Sequence, residues 1–183
     1  RVDRFARRAG ADARGARMIT LAVSSQAWMM LGEAAVLCSL TMFVLWALAT
    51  RHQDASCVDV AWAGLLGVLA IAYAVLGEGL VQRRILVAVV GGVWGLRLAW
   101  HLFRDRVWRA KEEDGRYQQL RAEWGERANV KFFVFFQAQA LLTAVFAIPF
   151  LVVALTPERP PLFAILAAGL IWLLAVGGET LAD

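Results

Sequence analysis

The sequence predicts an all-α integral membrane protein, a helical bundle of about five transmembrane spans. Three observations carry that prediction. The chain is 60% hydrophobic and 19% charged over 183 residues, more apolar than a soluble domain, where charged and apolar residues are also interspersed. The apolar residues fall in runs of about 17–24, the length that crosses a bilayer, with the charges gathered between them. A chain this short has too little interior to bury several helices that are apolar all round.

The elements follow in order. Residues 1–17, RVDRFARRAGADARGAR, are basic and lack apolar periodicity. They read either as a basic juxtamembrane arm or as a non-native leader ahead of Met18. They are not a secretory signal, because the apolar run that follows is too long and has no small-residue cleavage site. The remainder, 18–183, reads as a single transmembrane domain. The first span covers about 30–50, preceded by an interfacial piece that places Trp28 near the headgroups. A short polar connection, RHQDAS (Arg51 to Ser56), leads to the second span, 57–77, with Asp59 in its first turn. GEGLVQRR (Gly77 to Arg84) is a tight turn into the third span, 85–103. Such short connections force neighbouring spans to run antiparallel. Gly91 and Gly95 form a small-xxx-small pair suited to close helix approach.

A charged loop then runs over 104–131, read as a solvated amphipathic segment at the headgroups. The fourth span, 132–155, opens FFVFFQAQ. Its phenylalanines read as an interfacial belt with lipid contact, and Pro149 is expected to kink it. TPERPP (Thr156 to Pro161) turns into the fifth span, 162–178, and GETLAD closes the sequence in a helical pattern that looks truncated. Lys and Arg divide evenly between the two sides of five alternating spans, nine each. A start at Met18 would break the tie and place the charged loop in the cytoplasm.

Composition also narrows function. The formal net charge of +4 suits anionic lipid headgroups. It does not indicate nucleic acid, because the basic residues flank spans and form no aromatic-interleaved patch. No metal-ligand cluster is visible, since His52 and His101 are the only histidines and lie on different elements. Cys38 and Cys57 read as buried free thiols.

Polar residues within spans carry the rest. An ionisable group in hydrocarbon costs at least a few kcal/mol, so it faces a protein interior or a wet cavity. Trp94, Arg97 and His101, three and four residues apart, share one helix face, and Asp59 and Trp62 share another. Pairing Asp59 with Arg97 would lower the cost of both charges, whether for structure or for chemistry. Arg116 and Arg121 in the loop are suited to gripping phosphate. Gln137 adds polarity to the fourth span. Glu179 and Asp183 read as a polar helix end or as acceptors for a nucleotide ribose.

DVAW (Asp59 to Trp62), WGLRLAWHL (Trp94 to Leu102), EDGRYQQLRAEWG (Glu113 to Gly125), FFVFFQAQALL (Phe132 to Leu142) and GETLAD (Gly178 to Asp183) together cover about the last two thirds of the chain. In order and spacing they resemble a bacterial membrane family of unknown function related to the C-terminal domain of the steroid 5-alpha-reductases (3-oxo-5-alpha-steroid 4-dehydrogenases). The similarity extends more distantly to isoprenylcysteine carboxyl methyltransferases. The resemblance implies a seven-span enzyme of which this chain is the N-terminal part, in a bacterial inner (plasma) membrane. Its activity would be NADPH-dependent reduction of a C=C bond in a steroid, isoprenoid or fatty acyl lipid. Asp59 falls at the position of a carbonyl-polarising Glu and Trp94 at that of its Tyr partner. The indole N–H donates a hydrogen bond but holds no transferable proton.

On this resemblance Asp59, Trp94 and Arg97 are the catalytic candidates. Arg116, Tyr117, Glu179 and Asp183 are the cofactor-binding candidates, and Trp62, His101 and Gln137 line the substrate cavity. Two alternatives stand beside the reductase: a methyltransferase using S-adenosylmethionine on the same scaffold, and a non-catalytic subunit of a larger membrane complex.

Overall fold

The structure, a computed structural model, describes the helical path of residues 2–182 and the side chains of residues 25–178. It is an all-α bundle. The helices are α1 (Val2–His52), α2 (Cys57–Leu76), α3 (Val81–Val87), α4 (Trp94–Phe103), α5 (Gly115–Trp124), α6 (Ala128–Leu155) and α7 (Leu162–Ala182). Four helical stretches are long and apolar enough to cross a membrane: Ser25–His52, Cys57–Leu76, Val81–Trp108 and the stretch ending at Leu155. Over its described side chains the fifth apolar helix, Leu162–Gly178, is shorter. The side chains of the basic arm 1–17 lie outside the described residues.

Two boundaries differ from the sequence expectation. No break separates an interfacial piece from the first span, because α1 is one continuous helix. Polar residues change which side of a helix is wet, but they do not stop it. The third span also outruns its predicted end at 103. A π-helical stretch, Ala88–Val93, joins α3 to α4, and a second, Arg104–Trp108, extends α4 into the charged segment. Composition marks Arg104–Trp108 as loop, whereas the backbone stays helical and carries Arg106 inward. α6 runs unbroken from Ala128 to Leu155 with Pro149 inside it.

α2 is the central helix, packed between α4 and α6, while α1 lies along α6 and α2. Its contact with α4 is backbone on backbone. A Cβ on Gly95 would sit 2.6 Å from the Gly67 amide nitrogen, and one on Gly67 would sit 2.9 Å from that of Leu96. The small residues therefore set this helix spacing. α1 is clasped to α6 by Ser39 and Gln137. The Ser39 hydroxyl donates to Gln137 Oε1 at 2.7 Å, and the amide returns a bond to the Ser39 carbonyl at 3.3 Å. Trp46 donates to the Asn129 carbonyl at 2.8 Å. α7 meets the rest through Trp172, which donates to the Val90 carbonyl at 3.1 Å.

At one end of the bundle, the turn after α2 docks on the end of α6. The Gly79 and Leu80 amides donate to the Ala154 and Thr156 carbonyls, both at 3.1 Å. The opposite end gathers the end of α1, the start of α2, the Arg104–Trp108 stretch, α5 and the start of α6. The charged residues converge there.

Candidate functional site

The site begins with Asp59 in the first turn of α2, where a carboxylate is favoured by the helix N-terminus. Asp59 is buried, at 7% exposure, and a buried carboxylate needs partners. Among the described residues its ion partners are Arg106 and Arg116; Arg97, the expected partner, is not one of them. Arg106 reaches Asp59 Oδ2 from the π-helical extension of α4. Arg116 Nη2 reaches the same oxygen at 2.8 Å. Both guanidiniums also meet Asp114, at 3.0 Å from Arg116 Nε and 3.7 Å from Arg106 Nε. Tyr117, buried next to Arg116 in sequence, packs beside this cluster. Two acids and two arginines thus form one cluster at a membrane face.

Local sequence explains how the loop delivers these groups. Asp114 caps α5, its side chain accepting from the Arg116 amide at 3.0 Å, an ordinary use of Asp at a helix start. The Arg116 guanidinium bonded to it holds the Asp114 carboxyl below the usual carboxylate range. The Asp114 amide donates to the fully buried Ser56 hydroxyl at 2.9 Å. One residue earlier, Glu113 Oε1 accepts from the Ala55 amide at 2.8 Å. Arg121 grips that carboxylate with both arms, Nη2 to Oε1 at 2.8 Å and Nε to Oε2 at 3.1 Å. The loop is therefore pinned to the α1–α2 corner and is no free amphipathic segment.

The aromatic residues complete the anchoring. Tyr117 is buried at 3% exposure, edge-on to Phe132 and Phe135. Trp124 stands 4.9 Å from Phe132, centroid to centroid, and Arg121 lies 4.8 Å over the Phe132 ring. Phe132 and Phe136 are core residues, with 2% and 0% exposure. This corrects the expected lipid-facing belt. The start of α6 is covered by α5, so these two rings face protein.

The other predicted residues scatter around this cluster. Trp94 is half-buried against the main core. Arg97 lies on the same helix, also half-buried. His101 Nε2 lies 3.3 Å from Asp105 Oδ2, one turn on. Trp62 lines a cleft of about 210 Å³ with Gln139, Leu142, Thr143 and Phe146. Gln137, expected in that cavity, is spent on the α1–α6 clasp, and Gln139 stands there instead. The side chains of Glu179 and Asp183 lie outside the described residues. Cys38 and Cys57 are free thiols.

Sequence reading missed Arg106, Glu113, Asp114 and Ser56. Asp114 had a signal, as an Asp directly before the Gly-Arg-Tyr helix start. Arg106 had none, because only the helical continuation of α4 brings it to Asp59.

Chemically, the cluster is formally neutral, two carboxylates against two guanidiniums, with its guanidiniums turned partly to solvent. Arg116 is 59% exposed at the side chain and Arg106 is 30% exposed. Their inner N–H groups are held by carboxylates, and the outer face of Arg116 remains open to an anion. A family model described as Protein of unknown function (DUF1295) matches residues 45–183. No curated protein matches the chain, and no solved structure matches it.

Proposed function

The chain belongs to this family of unknown function (DUF1295), and from that premise we propose that it is a membrane-embedded, NAD(P)H-dependent reductase of a C=C bond in a lipid-like substrate. One observation carries the reading: the arginine pair Arg106 and Arg116, locked on buried Asp59 and presented at a membrane face. Such a pair fits the phosphates of a dinucleotide, since a guanidinium offers a planar fork to phosphate oxygens. The resemblance of the Asp59, Trp94 and Glu113–Gly125 segments to the steroid 5-alpha-reductase domain supports the same reading.

Each side chain then has a role in the proposal. Arg116 holds phosphate, and Arg106 and Asp114 fix its fork. Asp59 Oδ2 is shared by the two guanidiniums, so its role here is to orient them. Tyr117 locks α5 in place from within the core and touches the cofactor only through Arg116. NADPH, when bound, supplies a hydride. A lipid substrate enters from the bilayer beside α4, where Trp94 offers an N–H donor. His101, 3.3 Å from Asp105, stands on the same helix nearer the charged end. The enzyme acts in a bacterial inner membrane.

The test is fluorescence titration of the purified protein in detergent with NADPH. Saturable binding weakened at least tenfold by Arg116→Ala is the expected result. Binding that is absent, or indifferent to that change, refutes the cofactor site. One observation favours a second reading: the carboxylates and guanidiniums largely satisfy one another. A closed network of this kind also suits a structural staple in a non-catalytic subunit of a membrane complex. In that case Arg116→Ala would lower stability with no NADPH binding to lose.

A further inference from the structure

Towards the far end of α2, a cleft shared with α1 is lined by two polar side chains, Tyr73 of α2 and Glu33 of α1. Tyr73 is buried at 2% exposure, and its hydroxyl has no hydrogen-bond partner. A buried hydroxyl without a partner is uncommon in a native structure and points to a missing group. Tyr73 lines a cleft of about 190 Å³ between α1 and α2, together with Glu33, Ala34, Leu37, Leu69 and Leu76. Glu33 is the cleft's one carboxylate. Among the described residues no hydrogen bond or ion pair is recorded for it, and it is exposed.

Depth makes this carboxylate anomalous. Gln26 Nε2 donates to the Leu76 carbonyl at 3.3 Å, which sets Gln26 level with the end of α2. Glu33 is seven residues further along α1, about 10 Å deeper at the helical rise. Tyr73 lies three residues in from Leu76, about 4.5 Å deep. Around them the outer surfaces are apolar: Val36, Leu37, Leu40 and Val75 are all exposed. A carboxylate at that depth is expensive unless something accepts its charge or donates to it.

We propose that this α1–α2 cleft is a binding site for the hydroxyl head of a membrane alcohol, a long-chain or isoprenoid-type lipid bearing a single OH. The occupant's chemistry follows from the two groups. Tyr73 needs an acceptor and Glu33 needs a donor, and a hydroxyl is both at one oxygen. The cleft holds a head and the first few methylenes, with the chain left in the bilayer; it is too small for a helix. The site lies about 21 Å along α2 from Asp59, fourteen residues at the helical rise. It is therefore separate from the arginine cluster and stands whether or not that cluster holds a nucleotide.

The test uses the full chain in phosphatidylcholine nanodiscs with hexadecan-1-ol carrying a mid-chain diazirine, followed by peptide mapping after illumination. Adducts are expected on residues 30–37 and 69–76. Unlabelled hexadecan-1-ol should compete, whereas 1-methoxyhexadecane, which cannot donate to Glu33, should not. Tyr73→Phe and Glu33→Gln should each reduce labelling of these segments at least fivefold, with labelling of lipid-facing α7 unchanged as the control for folding. Equal competition by the ether overturns the proposal. So does labelling indifferent to both substitutions. Absent labelling with Glu33 protected by a second copy of the chain would make the occupant a protein helix, and likewise overturns it.

Discussion

Replacing Asp59 with Ala tests the energetics of the site most directly. The carboxylate is 10% exposed at the side chain and neutralises Arg106 and Arg116. Breaking a fully buried ion pair by removing one partner costs about 3–5 kcal/mol, because the remaining charge is stranded. Here the stranded groups are only partly buried, with side-chain exposures of 30% and 59%, and both keep contact with Asp114. That discounts the loss to about 2 kcal/mol, to which the lost helix-end charge of α2 adds about 0.5 kcal/mol. Arg106→Ala alone should cost about 1–2 kcal/mol, since it leaves Arg116 to hold Asp59. The double variant should then lose about 1 kcal/mol less than the sum of the singles. The assay is unfolding in mixed detergent micelles with increasing dodecyl sulfate, read by circular dichroism. Additive losses for Asp59 and Arg106, or an equally large coupling of Asp59 to Arg97, would refute the ion-pair assignment.

Four further outcomes follow from the geometry. Gly95→Leu should destabilise by more than about 2 kcal/mol, because its Cβ meets Gly67 backbone at 2.6 Å. Gly32→Ala, with open space around it, should be neutral or mildly stabilising in the same unfolding assay. Asp114 has a depressed folded-state pKa, so its contribution is fully present above the unfolded value of about 3.9 and is lost as pH falls through the folded one. Acidification through that window should release α5, seen as faster proteolysis near Arg109. In Asp114→Asn the acid-dependent step should disappear. Arg121→Ala should leave Glu113 unpaired and free the Glu112–Gly115 turn, detected as faster amide exchange at Ala55; unchanged exchange would contradict the pinning of the loop to the α1–α2 corner.

The family resemblance and the placement of charges were legible in the sequence to different extents. Glu113, Asp114, Arg116, Tyr117 and Arg121 stand close together in sequence, so their concentration at one point was visible. Their partners, Ala55, Ser56 and Asp59, are 57 or 58 residues away at the start of α2, and only Asp59 is marked by its own sequence context. Arg97 looked like the partner for Asp59 because it sits inside an apolar run, where an unpaired charge is costly. Arg106 took that place because the chain stays helical through Trp108, which carries it past the end of α4 and inward onto Asp59.

The membrane-spanning, all-helical class follows from the sequence alone, because hydrocarbon requires every backbone polar group to be satisfied within its own segment; of the five spans expected, four helices have the length and apolarity to cross, and Leu162–Gly178 is shorter over its described side chains. That requirement is local, and so is the signal for it. The identity of the ion partners, the burial of Phe132 and Phe136 under α5, the backbone contact of Gly67 with Gly95 and the placing of Glu33 and Tyr73 on one cleft are decided by which faces of separate helices meet. Helix periodicity says which residues share a face, but it does not say what that face meets. Only the packed bundle does, because contacts between distant segments depend on where each helix ends, how it is rotated and what lies across from it.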